Sequence, residues 1–548
     1  MPSSPLTLPL TLPLTHTPDT PHELLAPHVP HAPHVPHASA PSSLPSSFRT
    51  ELTAAAEWVA DYLEALPHGP VTRPRPPGHR RALASGSLPQ DGQELGALLE
   101  FVERDIAPYP SGNGHPAFFA WINSPPSPAG IIAELLACAV NTTCGMGEAA
   151  LMDLEHGVVR DLASLAGLAD TAGGVLTSGG SMANLLCLAA ARSWFLAQRG
   201  ATDGAAYDRA HARLVAYHGD QAHLSVAKAA ATIGLPPWRL RAVPTTADRR
   251  MDLDALRAAV DSDRAAGLLP FCVVSHLGST ATGAIDTPAP LNELCHRRGM
   301  WHHADGAWGG LGALLPELAP YYRGIAEVDS LTVDPHKTLS VPVGCGAALV
   351  TDPDRLRGAF SFRASYLDGD QDWPWMSDYT VELTRPGTRA LKLWATLRAL
   401  GRGGVADLLR RYQELARQLR ESVRAEPGLE VCASGPLPVV CFRLGAELTG
   451  GRDRDAFHAA VAARVQRGGR AFLATVEHEG ETVLRACICN YRTTPADLAT
   501  LVREVLRAAA DTAAYGEAET AAGMDADTAA AGTEDPAPAA SAMVSVRE

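Results

Sequence analysis

The chain has 548 residues, of which 46% are hydrophobic, enough to bury one large α/β core and a smaller one beside it. Its 60 acidic side chains outnumber 46 basic ones, a formal net charge of -14 that argues against nucleic acid or an anionic membrane surface as partner. No run is long and apolar enough to span a bilayer, and the ten cysteines sit in apolar contexts such as Cys272, Cys345 and Cys441 without framework spacing. Cys487-Ile488-Cys489 reads as an alternating strand, so reduced, buried thiols in a cytoplasmic protein are expected, with neither disulfides nor a metal site.

Residues 1 to about 46 are low-complexity. The repeat running from Pro27 to His37 alternates Pro and His with small apolar residues; it cannot form a helix and has little to bury, so it reads as a solvated tail in preference to a metal-binding tract. The start has no basic region that would open a secretory signal. Helical periodicity follows in Phe48 to Leu66, an amphipathic segment in need of a partner surface, and in Ile131 to Val140. Apolar strands then alternate with helices: Leu214 to Tyr217, Phe271 to Val274, Leu331 to Val333 and Ala347 to Val350. This alternation predicts a mostly parallel sheet covered on both faces, with ligands at the loops beyond the strand ends. A helix from Thr388 to Arg402 leads into a smaller α+β unit with strands at Val439 to Phe442 and Val483 to Cys489. The tail after about Ala510 is Ala, Thr, Asp and Glu, and reads as disordered or as a frayed helix. The expected partition is a tail over 1–46, an N-terminal helical dimerisation segment over 47–130, a large domain over 131–395, a small C-terminal domain over 396–510 and a second tail over 511–548.

The chemistry gathers in two runs. Lys337 closes Asp334-Pro335-His336-Lys337, directly after the strand Leu331 to Val333, so its amine is presented at a fixed point on a sheet edge. Upstream, Asp305 ends Trp301-His302-His303-Ala304-Asp305. A buried carboxylate is costly without a cation partner; a protonated pyridine nitrogen supplies one, and each charge favours the other. An amine able to form a Schiff base and an Asp able to hold a ring nitrogen protonated are two halves of a pyridoxal 5'-phosphate site. A third run, Thr177-Ser178-Gly179-Gly180-Ser181-Met182-Ala183-Asn184, opens a helix whose free N–H groups suit a phosphate. It lacks the Lys of a Walker loop and the full dinucleotide spacing, and it nearly matches a nucleophile elbow, with Ala183 in place of the last Gly. Gly278-Ser279-Thr280 places a hydroxyl against a cofactor or simply caps a turn. His223, His302 and His336 each admit a structural reading as well as a catalytic one.

The ordered set of Thr177 to Asn184, Asp220-Gln221-Ala222-His223, Asp305-Gly306-Ala307-Trp308-Gly309 and Asp334 to Lys337 resembles the group II pyridoxal phosphate-dependent amino-acid decarboxylases, over most of residues 50–510. Gly114 to Phe119 and Thr384 to Trp394 fit as well. The resemblance implies fold type I of the pyridoxal phosphate enzymes and an L-amino-acid substrate that leaves as amine and CO2. It implies Lys337 as the covalent anchor, Asp305 on the pyridine nitrogen, Ala307 under the ring and His223 on its opposite face. Gly180, Ser181, Thr280 and His336 would contact the phosphate or ring substituents. Tyr379, on a mobile loop between Tyr366 and Thr384, would protonate the product carbon from the partner subunit of a homodimer. Thr338 and Gly306 depart from the family's usual Trp and Ala. Phe118, Phe119 and Trp121 either put aromatic surface at the pocket mouth, which favours an aromatic substrate, or pack the N-terminal segment. Decarboxylation of an acidic or diamino acid, an aldehyde synthase or aminotransferase on the same fold, and a retired scaffold protein are the alternatives.

Overall fold

The structure, a computed structural model, describes residues 47–145, 149–361, 374–433 and 435–526. The chain divides into two compact units, residues 1–56 and residues 57–548. In the first, the described residues open the helix Phe48–Ala65; the Pro/His tail expected over 1–46 lies outside the described residues. Everything below concerns the second unit.

A seven-stranded sheet carries its strands in the order β1-β7-β6-β5-β4-β2-β3, with β1 at Gly173–Thr177, β2 at Leu214–Gly219, β3 at Leu240–Val243, β4 at Leu269–His276, β5 at Trp301–Asp305, β6 at Ser330–Val333 and β7 at Gly346–Val350. Strands β3, β2, β4, β5 and β6 are parallel, and β7 runs antiparallel between β6 and β1. The central strands read as continuous apolar runs because both their faces are buried: β4, β5 and β7 expose almost nothing.

The register decides where the chemistry lies. His276 of β4 pairs with Asp305 of β5, and Asp305 pairs with Thr332 of β6. Thr177, at the end of β1, pairs with Gly346, at the start of β7, while Val333 of β6 pairs with Ala347. The carboxyl ends of β1, β4, β5 and β6 therefore share one edge, and the loops that follow them meet there. The approach is close enough to require glycine: a Cβ on Gly346 would fall 2.5 Å from Asp334 Oδ1 and 2.6 Å from Gly179 Cα.

A second sheet, antiparallel throughout, has the order β10-β11-β9-β8, with β8 at Leu429–Ala433, β9 at Val439–Leu444, β10 at Ala474–His478 and β11 at Glu481–Cys487. One apolar core runs from Leu331 and Leu349 of the first sheet to Val440, Phe442 and Leu484 of the second. The helical stretch Thr388–Ala425 is longer than the sequence pattern indicated and breaks at Gly401 (φ 64, ψ 170). The helix Pro495–Ala526 continues past Ala510, so of the two readings of that stretch, disorder or a frayed helix, residues 511–526 take the helical one. Alanine is the strongest helix former, and residues 511–526 extend an already packed helix, which spares them nucleation. No described helix is long and apolar enough to cross a membrane, and all ten cysteines are free.

Candidate active site

A cleft of about 470 Å³ opens at the shared strand edge. Its floor is the start of the helix Gly180–Ala197, and its walls carry His223, His276, Thr280, Asp305, Ala307, His336 and Lys337. Trp121 and Asn123 reach it from the N-terminal segment, and Arg485 reaches it from β11. Of the site residues expected from the sequence, Gly180, Ser181, His223, Thr280, Asp305, Ala307, His336 and Lys337 all line this one space.

Lys337 sits in the single turn Pro335–Thr338, with Nζ 2.9 Å from Asp334 Oδ2. Burial is the largest influence on the amine and lowers its proton affinity, but Asp334 and, further off, Asp305 more than offset it, and the net shift is upward. Asp305 is 9% exposed. Its Oδ1 accepts from the Ala307 N–H at 3.1 Å and its Oδ2 from Asn184 Nδ2 at 2.9 Å. His223 caps the helix Leu224–Thr232, where Nδ1 accepts from the Ser225 N–H at 3.2 Å. Burial lowers the His223 imidazole below its ordinary value, against the opposing pull of Asp305. His336 Nδ1 lies 2.6 Å from the Cys345 carbonyl and donates to it; burial lowers this imidazole too, opposed by Asp334.

The side-chain types fit pyridoxal phosphate. The N-terminus of an 18-residue helix faces the cleft, where free N–H groups and the helix dipole favour a phosphate. A Cβ on Gly180 would stand 2.8 Å from Asp334 Oδ2 and 3.2 Å from Ala307 Cβ, so glycine keeps that cradle open. The amine of Lys337, the carboxylate of Asp305 and the flat apolar contact of Ala307 line the same space.

Tyr379, expected to act in the partner's site, and the pair Phe118 and Phe119 stand away from this chain's own cleft. Tyr379 does not line the cleft: it ends the short helix Met376–Tyr379, is 6% exposed, and packs with Met152 and Met376 in the core, its ring edge-on to His156 at 6.3 Å. Part of the expected mobile loop, residues 362–373 with Tyr366, lies outside the described residues. Phe118 and Phe119 are buried as well, Phe118 stacked on Phe472 at 5.2 Å; only Trp121, 49% exposed, borders the cleft.

Other cleft residues escaped the sequence reading. Asn184 and Ser225 bond to the expected groups, and Asn184 was signalled only by lying one helical turn beyond Gly180. Asp334 is the counter-ion of Lys337. His276 lies 3.1 Å from the buried Asp286. Arg485 is 4% exposed; Nη1 donates to the Ala120 carbonyl, whereas Nε and Nη2 have no partner among the described residues. A buried guanidinium with free donors beside a cleft is the complement of an anionic ligand group. Its signal was an Arg among apolar strand residues, Leu484 and Ala486.

The family model of the pyridoxal-dependent decarboxylase conserved domain matches residues 77–445. The aromatic-L-amino-acid decarboxylase of Sus scrofa is 32% identical over 463 residues, which cover 81% of this chain and 92% of the pig protein. Among solved structures, a Catharanthus roseus tryptophan decarboxylase in complex with L-tryptophan superimposes with a TM-score of 0.79 at 25% identity, covering 86% of this chain and 100% of that one. A Rhodiola rosea 4-hydroxyphenylacetaldehyde synthase gives 0.78 at 26% identity, covering 86% and 99%. By sequence, by fold and by the chemistry its cleft collects, the chain belongs to the pyridoxal-dependent decarboxylase family, lyases that use pyridoxal phosphate to remove CO2 from amino acids.

Proposed function

We propose that this protein converts an aromatic L-amino acid to the corresponding amine and CO2. The observation that carries the reading is the placement of the Lys337 amine, the Asp305 carboxylate and the Gly180 helix N-terminus around one cleft. Pyridoxal phosphate, when bound, supplies an electron-accepting ring that takes up the electron pair of the breaking Cα–carboxylate bond. Lys337 would anchor it covalently and Asp305 would hold the ring-nitrogen proton. The helix start with Ser181, Thr280 and His336 would hold its phosphate and ring substituents, and Ala307 and His223 would hold its two faces. Arg485 would orient the substrate carboxylate. Trp121 and Trp308 give the cleft aromatic walls, and the pig and Catharanthus relatives carry aromatic substrates in their names.

The same reading includes a homodimer in the cytoplasm and the domain partition given above. Ile132, Leu135, Leu136 and Val140 expose an apolar face on the helix Pro128–Val140. Lys392 ties Glu134 of that helix to the carbonyl of Val343, which is 70% exposed and borders the cleft. An apolar face of this kind calls for cover, and a second copy on it would reach the active site. Ten unpaired cysteines suit a reducing compartment.

The test is the visible spectrum of the purified protein, followed by CO2 and amine analysis over a panel of L-amino acids. Bound-cofactor absorbance, with amine from aromatic substrates, is expected. Lys337→Ala should abolish borohydride-fixable cofactor and turnover together. Aldehyde and ammonia as products, or preference for an acidic amino acid, would overturn the proposal.

A further inference from the structure

Behind the cleft a line of buried polar groups joins Trp301 to His223. Trp301 Nε1 donates to Ser330 Oγ at 2.8 Å, and Ser330 Oγ lies 2.8 Å from His303 Nδ1. His303 Nε2 lies 3.0 Å from Asn184 Oδ1, which also accepts from Thr332 Oγ1 at 2.6 Å. Asn184 Nδ2 donates to Asp305 Oδ2 and to Ser225 Oγ, each at 2.9 Å. Ser225 Oγ ends the line 2.8 Å from His223 Nδ1. Trp301, Ser330, His303, Thr332 and Asn184 are all fully buried, so their protons must find partners within the chain.

Both ends of the line give it the same direction. An indole only donates, so Ser330 Oγ accepts there and passes its own proton to His303 Nδ1; the neighbouring thiol of Cys187 is a much weaker acceptor. His303 then carries its proton on Nε2 and donates to Asn184 Oδ1. From the other end, a carboxylate only accepts, so the amide edge turned to Asp305 must be the NH2. That again leaves Oδ1 for His303 and Thr332. Burial, the largest influence, pushes His303 down to about 4, which keeps a single proton on the ring. At the far end, the Ser225 backbone N–H donates to His223 Nδ1, so that nitrogen carries no proton, and the Ser225 hydroxyl, which accepts from the second Asn184 N–H, turns its own proton to the same nitrogen. The ring proton of His223 is left on Nε2, which has no partner among the described residues.

We propose that Asn184 is a positioning residue that couples the two groups flanking the cofactor: one amide fixes Asp305 as an acceptor and, through Ser225, fixes His223 as an Nε2–H donor. This rests on the reading that the cleft binds pyridoxal phosphate. His223 then meets the ligand as a hydrogen-bond donor and not as a base.

The test is Asn184→Asp, which keeps the size but turns the donor facing Asp305 into an acceptor. Two carboxylates at hydrogen-bond distance must share a proton. The full chain's dissociation constant for pyridoxal phosphate, followed by visible absorbance, should rise at least ~10-fold over wild type at pH 8. The gap should close as the pH falls towards 6, because the shared proton restores the donor. Lys337, Asp334, His223 and His303, the titratable groups facing the pair, are common to both proteins, so the comparison isolates position 184. A merely structural role would give a loss independent of pH. Wild-type affinity in the variant at pH 8, or a loss that does not change between pH 8 and 6, would overturn the proposal. Should the variant not fold, Thr332→Val, which removes one donor to Asn184 Oδ1, must weaken cofactor binding by roughly 3-fold or more, and no change there overturns it equally. Failure of the wild-type chain to bind pyridoxal phosphate would instead overturn the reading of the site.

Discussion

Arg485 offers the sharpest test of how the cleft holds its substrate. Its Nη1 is fastened to the Ala120 carbonyl, which fixes the guanidinium, while Nε and Nη2 have no partner among the described residues at 4% exposure. Those two nitrogens lie on one edge of the guanidinium plane, the edge that matches the two oxygens of a carboxylate. Each charge-assisted hydrogen bond is worth about 1.5–3 kcal/mol, so losing even one raises KM by roughly 10- to 150-fold at about 1.4 kcal/mol per decade. Arg485→Gln removes the charge and the fork, and Arg485→Lys keeps the charge alone, so Lys should recover part of the loss. The assay is CO2 release against amino-acid concentration, run beside inhibition by the product amine. The amine has no carboxylate, so its inhibition constant should stay within about 3-fold of wild type while the amino-acid KM climbs. An unchanged KM, or an amine inhibition constant that rises in step with it, would refute the assignment, since either result means that Arg485 does not read the carboxylate.

Tyr379 does not border its own chain's cleft and is proposed to protonate the product carbon in the partner's, so Tyr379→Phe should divert product from amine to aldehyde and ammonia; amine at the wild-type yield, measured by mass spectrometry, would remove it from that role. The histidines of β5 set an acid limit. Burial pushes His302 down to about 3 and His303 down to about 4, whereas the unfolded chain takes up these protons near 6.5. Stability from both is therefore present above pH 6.5 and lost as the pH falls towards 4, at up to ~1.4 kcal/mol per pH unit for each ring. Urea unfolding between pH 7 and pH 4.5 measures it, and a flat profile would contradict burial of the neutral rings.

What the sequence displays of this fold and site follows from how local each feature is. Lys337, Asp305 and Gly180 are readable because each sits in a short run that joins a strand end to the turn after it, and strand, turn and residue type agree. The alternation of strands and helices is local too, and it yields the parallel sheet. The antiparallel insertion of β7 is not local: nothing in Gly346–Val350 distinguishes an antiparallel strand from a parallel one, since both its faces are buried. Arg485 and Ala120 lie 365 residues apart, so no run could show that this strand arginine faces a cleft assembled elsewhere. The surroundings of Tyr379 were hidden for the converse reason. Its neighbours in sequence are acidic and turn-forming, which suggests a loop, but the short helix Met376–Tyr379 turns the ring inward against Met152 and His156.

The electrostatics of the cleft depend on that assembly being held in register. Asp334 answers the charge of Lys337 within one turn, a local pairing that survives any shift of the surrounding sheet. Asp305 depends on more than its own turn: one oxygen accepts from the nearby Ala307 backbone, the other from Asn184 on a helix far away in sequence. Its place is fixed by the pairing of His276, Asp305 and Thr332 across β4, β5 and β6. A slip of one residue in β5 would turn Asp305 to the other face of the sheet and bring Ala304 to the cleft. The buried line from Trp301 through Ser330, His303 and Asn184 joins β5 to β6, and each of its bonds is lost in a slipped register, leaving several buried donors unpaired at about 1–3 kcal/mol apiece. The polar groups behind the cleft thus protect the alignment of β5 with β6 as well as orienting Asp305. A carboxylate carried at the end of a fully buried strand needs both.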